Sequence, residues 1–222
     1  MSSELFRVAR VKVRRGRKHL ASIGPELEVV SAGHQRFLQA ASAGILDHFT
    51  PALSIPDGAL DEVACCVGDT VHNLRAALDV LACEVVALSN GSPELVDFPF
   101  ALTEAKLARV LEKKNFKYAR ADAQRLHLSL KPHGGPSGSA LLWGLHQLDV
   151  IDKHRDLLTL TTAQDRPGLY FEGVHLKPED HDGPRLVFSK GSLFEGEEVE
   201  AKLHAMAILA DEIIDKFSDL FR

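Results

Sequence analysis

The chain has 222 residues, 45% of them hydrophobic and 26% charged, with a formal net charge of −5 at neutral pH. That length and balance suit one domain with a full core and exclude a low-complexity or disordered chain. No run is apolar enough to span a bilayer and no signal-peptide core opens the chain, so a soluble cytoplasmic protein is the expectation.

The charge is unevenly placed. Residues 1–18 hold Arg7, Arg10, Lys12, Arg14, Arg15, Arg17 and Lys18 against Glu4, a net +6, so the remainder carries −11. A basic first helix on an acidic body suits a nucleic acid or another anion, the protein's own acids, or a second subunit. No aromatic residues interleave the cations. Within that helix Phe6, Ala9, Val13, Gly16, Leu20, Ile23, Leu27 and Val30 alternate spacings of three and four, a heptad seam. Pro25 is expected to kink the helix or split it, because proline removes a donor and clashes with the preceding turn.

Residues 36–50 read as a short hairpin with Gly44 near its turn. Asp57 is a plausible N-cap for a helix from about Ala59 to Leu88, closing at Asn90-Gly91. That helix is apolar on nearly every side, which marks it as the centre of a core. Cys65, Cys66 and Cys83 lie in it. An odd count without C-x-x-C spacing makes neither a disulfide framework nor a zinc site, and the thiols read as small buried hydrophobes.

DFPF, residues 97–100, is extended. A shorter helix starts near Thr103, another covers about Ala119 to Leu130, and KPHGGPSGS at 131–139 is a loop. Ser139 caps a helix from Ala140 to about Arg155. LLTLTTA and LYFEGV alternate and form a hairpin over 157–174, with RLVFSK a further strand, so a small antiparallel sheet is expected over about 157–190. A last helix, about 198–221, carries a second heptad seam: Val199, Leu203, Met206, Ala210, Ile213, Phe217 and Leu220. The fold class is α+β, mainly α: a helical bundle with a small antiparallel sheet, in one domain spanning 1–222. The two seams point to a homo-oligomer or to packing on each other within one subunit.

Two polar stripes interrupt the apolar helices. On the first, His72, Arg75 and Asp79 share one face with Asn73 beside them. On the second, His146, Asp149 and Lys153 repeat the same offsets, and Asp152, His154 and Arg155 lie near the helix end. Buried cations need acids, so Arg75 and Lys153 are expected to meet Asp79, Asp149 or Asp152, and the stripes to meet each other. Such a network either fixes helix packing or opens into a pocket that binds or processes an anion. The candidates for chemistry are His72, Arg75, Asp79, Asp152, Lys153 and His154, and those for binding are Asn73, His146, Asp149 and Arg155.

HNLRAALD, then DFPF, then LHQLDVIDKHRDLL together resemble a bacterial protein family that carries no established activity, over roughly residues 55–160. The pattern of that family, near HNLRSALDHL, is in turn similar to the Arg-x(4–6)-His motif of HEPN-type helical domains. That likeness implies a metal-independent ribonuclease or a nucleotide-binding protein, with RNA as ligand. Such chemistry needs a base for the 2′-hydroxyl and a cation for the phosphate. Arg75 matches the arginine, but Val80 stands at the histidine position, so His72 or His154 would have to substitute through a different geometry. Arg120 and His127 fit the loose spacing by chance.

Other chemistries have less support. No H-E-x-x-H or E-x-x-H motif is present, and Arg75 and Lys153 would sit among the ligands, so no metal or cofactor is expected. GGPSGS matches neither phosphate-loop pattern and reads as a plain loop. EDHD at 179–182 reads as a solvated acidic turn, and no G-x-S-x-G supports a serine hydrolase.

Overall fold

The computed structural model describes residues 5–42, 58–154, 160–161, 169–171, 174–177, 185–188 and 193–222. Its helices are α1 (Arg7–Ser42), α2 (Ala59–Leu88), α3 (Glu104–Lys113), α4 (Ala121–Ser129), α5 (Ala140–His154) and α6 (Val199–Leu220), with a 3₁₀ turn at Phe116–Tyr118. The chain is mainly helical. The expected small antiparallel sheet is not supported. Leu160–Thr161, Leu169–Phe171 and Val174–Lys177 are two to four residues each, and the hairpin turns lie outside the described residues. An isolated hairpin of such strands is marginally stable at best in water. The strand tied to a helix is Arg185–Phe188, through the Val187–Glu198 bridge just before α6.

Contacts group the chain into two compact units. One comprises 1–17, 70–153 and 203–222; the other comprises 18–69 and 154–202.

In the first unit the start of α1 runs antiparallel to the end of α6. Phe6 meets Phe221 edge-on at 6.0 Å, and Arg10 and Arg17 each reach an α6 carboxylate at 2.8 Å, Asp215 and Asp211. Part of the basic helix therefore faces the protein's own acids, one of the three partners its charge suggested. Gly16 gives α1 its approach to α2: a side chain there would press on Leu74, and its carbonyl accepts from Thr70 at 3.4 Å. Both heptad seams are buried within the single chain; Leu220 alone is half-buried. The seams are thus used within the chain and by themselves give no argument for an oligomer.

The ends of α2 agree with the expected range, though Asp57 lies outside the described residues. Asn90 adopts φ +62° and Gly91 donates to the Val86 carbonyl at 2.9 Å, which closes the helix. Gly91 is required there, since a Cβ would strike Val86 and Tyr118. Val63, Val67, Val71, Leu74, Leu78, Leu81 and Val85 are buried, whereas Leu88 is exposed. Ser139 caps α5 as expected, its hydroxyl accepting from Leu142 N–H at 3.3 Å.

For α1 one expectation fails and one alternative of a second is excluded. The hairpin at 36–50 is helix as far as Ser42, and 43–50 lie outside the described residues. FLQAA alternates poorly and consists of adequate helix formers, so the preceding helix extends through it. Pro25 does not split α1. The residue before it is Gly24, which has no Cβ to clash with the proline ring, the contact that usually bars helical backbone before proline.

In the second unit, Phe188 accepts from Gly196 N–H at 2.8 Å and donates to the Glu197 carbonyl at 2.9 Å, with its ring 5.4 Å from that of Phe194. Lys202 lies over Phe194 and pairs with Glu197. Cys65 and Cys66 are half-buried, as is Cys83 in the first unit, so none is a fully buried hydrophobe. Burial, then Glu26, Glu62 and Asp69, push the Cys66 thiol up; burial and then Asp79 do the same for Cys83. Both shifts disfavour the thiolate, the nucleophilic form.

Candidate functional site

The site lies wholly in the first unit, where α2, α5 and the DFPF segment meet. Arg75 and Asp79 stand one turn apart on α2, the spacing at which side chains face each other. Arg75 Nη1 donates to Asp79 Oδ1 at 2.5 Å. The same carboxylate oxygen accepts from the Phe98 N–H at 2.9 Å, and Arg75 Nη2 donates to the Phe98 carbonyl at 3.4 Å. One ion pair on a helix thus grips both polar groups of a single non-helical residue. It substitutes for the strand that would otherwise satisfy that backbone. The Arg75 side chain is 8% exposed, against 30% for Asp79.

Aromatic rings continue the arrangement. The Arg75 guanidinium lies 4.6 Å from the centre of the Phe100 ring, a cation–π distance. Phe100 stacks on His146 of α5 at 4.5 Å with planes 9° apart, and Trp143 lies 5.3 Å from His146. Stripe thus meets stripe through a phenylalanine ring. The expected acid for Arg75 is Asp79, within its own stripe.

A direct polar contact joins the two helices at His72 and Asp149. Nδ1 of His72 lies 3.3 Å from Asp149 Oδ1. A carboxylate offers only acceptors, so the imidazole is the donor in this contact, through Nδ1. The His72 side chain is 46% exposed while Asp149 is 5% exposed. A buried acid holding a half-open imidazole by its inner nitrogen is the arrangement that fixes tautomer and ring orientation for proton transfer.

The remaining candidates are placed less fully. Asn73 and Asp152 are half-buried on α2 and α5. Lys153 and His154 end α5, but their side chains lie outside the described residues, and Arg155 lies outside altogether. Val80, at the position where the HEPN motif has histidine, is half-buried on α2. Among the described residues, no group of three or more metal-ligating side chains converges.

Reading the sequence missed His127, Phe100 and the backbone of Phe98. His127 is completely buried, 4.7 Å from Phe98 and 5.0 Å from Phe116. Its Nε2 donates to the Pro99 carbonyl at 3.0 Å, while Nδ1 has no hydrogen-bond partner. Burial lowers it to about 3, which keeps it neutral. Arg120, its partner in the chance motif, is exposed and bound to Asp122. The usable signal was DFPF itself: proline has no N–H and isolates its neighbours' backbone groups, so a buried DFPF needs side-chain partners.

GGPSGS is a loop of close backbone approach. Ala101 donates to Pro132 and accepts from Gly134, both at 3.1 Å, and a Cβ on Gly138 would collide with the His133 carbonyl. EDHD lies outside the described residues. No helix of the described residues is long and apolar enough to cross a membrane. No protein-family model, no curated protein and no solved structure matches the chain.

Proposed function

We propose that the α2–α5 junction is a proton-transfer site for a small polar or anionic ligand, with His72 as the acid–base group and Asp149 as the residue that positions it. Arg75 and Asp79 form the frame beneath it. The observation that carries this reading is the half-exposed imidazole with Nδ1 3.3 Å from a buried carboxylate. In this reading Nε2 takes a proton from the ligand, and Asp149 stabilises the imidazolium that forms. The HEPN-like ribonuclease reading asks Arg75 to meet a phosphate. Its guanidinium is engaged by Asp79, the Phe98 carbonyl and the Phe100 ring, so our proposal assigns it no ligand.

Nitrogen-15 NMR of the imidazoles tests the site. His72 is expected as the Nδ1–H tautomer at high pH, changing toward Nε2–H in Asp149→Asn. A wild-type Nε2–H tautomer would refute the assignment. Mixed-sequence RNA in excess chelator then separates the two chemistries: cleavage lost in Arg75→Lys but retained in His72→Gln would favour the HEPN-like reading.

A further inference from the structure

The outer face of α1 carries cations that no described residue neutralises. Arg10 and Arg17 lie on the flank toward α6 and are paired there. Arg7, Arg14 and Arg15 are exposed, Lys12 is half-buried, and none of the four makes an ion pair with a described residue. Arg7 and Arg14 are two turns apart, about 10 Å along the axis and within about 20° of each other around it. Arg15 lies about 80° from Arg7 around the axis, beside that row, whereas Lys12 lies about 140° from Arg7, on the far flank. Like charges three or four residues apart on a helix repel, and an external anion that meets the row relieves that repulsion.

Three kinds of anion could meet such a row, and the structure discriminates among them. A helix that lies in a membrane surface buries its apolar face in the lipid. The apolar face of α1 is not available, because Phe6, Ala9 and Val13 are buried in the protein, and the outer face offers only Val8 and Val11. Single-stranded nucleic acid is held by bases stacked on aromatic rings, and α1 has no aromatic residue between Arg7 and Arg17. A duplex needs neither feature. Its phosphates present one charge per roughly 1.7 Å of axis and are bound by rows of Arg and Lys that release condensed counterions.

We infer that Arg7, Arg14 and Arg15 form a docking ridge for the phosphate backbone of duplex nucleic acid, without sequence preference. The ridge is separate from the His72 site. Gly16 and Thr70 show which side of α2 faces α1, and His72, two residues after Thr70, projects from about the opposite side of that helix.

Fluorescence anisotropy with a labelled mixed-sequence 20-base-pair DNA tests this on the full chain. Three phosphate contacts predict a slope of log K against log salt of about −2.7, and hence roughly a fortyfold loss between 50 and 200 mM salt. The Arg7→Gln/Arg14→Gln/Arg15→Gln variant removes no internal contact and should bring the slope close to zero. Arg109→Gln/Lys113→Gln/Arg125→Gln deletes the same charge from exposed positions elsewhere in this unit and should keep the wild-type slope. Equal losses in both variants would reduce the effect to net charge and overturn the inference. No binding at 50 mM salt, tighter binding to the single strand, or binding only to phosphatidylserine vesicles would each overturn it too.

Discussion

Removing the Asp79 carboxylate should release the DFPF segment. In Asp79→Ala the Phe98 N–H loses its acceptor, and Arg75, nearly buried, keeps only a 3.4 Å contact to the Phe98 carbonyl and the Phe100 ring. Its Nε is already buried without a partner, so nothing else takes up the charge. Breaking a buried pair from one side costs about 3–5 kcal/mol. Asp79 is part-exposed and water can reach the stranded guanidinium, so about 3 kcal/mol is expected. Arg75→Ala leaves Asp79 hydrated and still bonded to Phe98, so its loss is about 2 kcal/mol, chiefly the charged hydrogen bond and the ring contact. The double variant should lose less than the two single losses together, with a coupling of about 1–2 kcal/mol. Urea unfolding followed by circular dichroism measures all three. Additive losses, or an Asp79→Ala cost below about 0.5 kcal/mol, would refute the clamp.

Other expectations follow from single contacts. His127 is neutral in the fold at about 3 but titrates near 6.5 once unfolded, so the unfolded chain binds more protons between those values. Stability present above pH 6.5 should fall as pH drops toward 3, by up to about 5 kcal/mol. Carboxylates titrate in the same window, so the comparison is with His127→Gln, whose unfolding midpoint should change less over that range; identical profiles would contradict the burial argument. Gly138→Ala should cost about 3 kcal/mol by forcing the His133 carbonyl aside, and an unchanged midpoint would show that the loop yields freely. Pro25→Ala restores a helix donor at an exposed position and should raise thermal stability by about 2 kcal/mol; a fall in melting temperature would mean the proline is needed where it stands.

Periodicity alone determined the long helices here. Eight residues from Phe6 and seven from Val199, at alternating three and four spacing, have only one regular conformation that buries them together, and an all-round apolar run such as α2 has only a core to occupy. Asn90-Gly91 and Ser139 marked helix ends because their conformation and hydroxyl chemistry are local. Short segments were harder: FLQAA joined a helix because an adjoining helix extends at little cost. The stripes were visible as charges on apolar helices, yet their partners were not. Asp79 reaches Phe98 and Arg75 reaches Phe100 only because α2 packs against DFPF, and a backbone N–H leaves no mark in a residue pattern. Tertiary structure likewise separated His72, held half-open by Asp149, from His127, sealed among phenylalanines. A histidine's proton chemistry depends on water and charge around the ring, and neither is written in its neighbours along the chain.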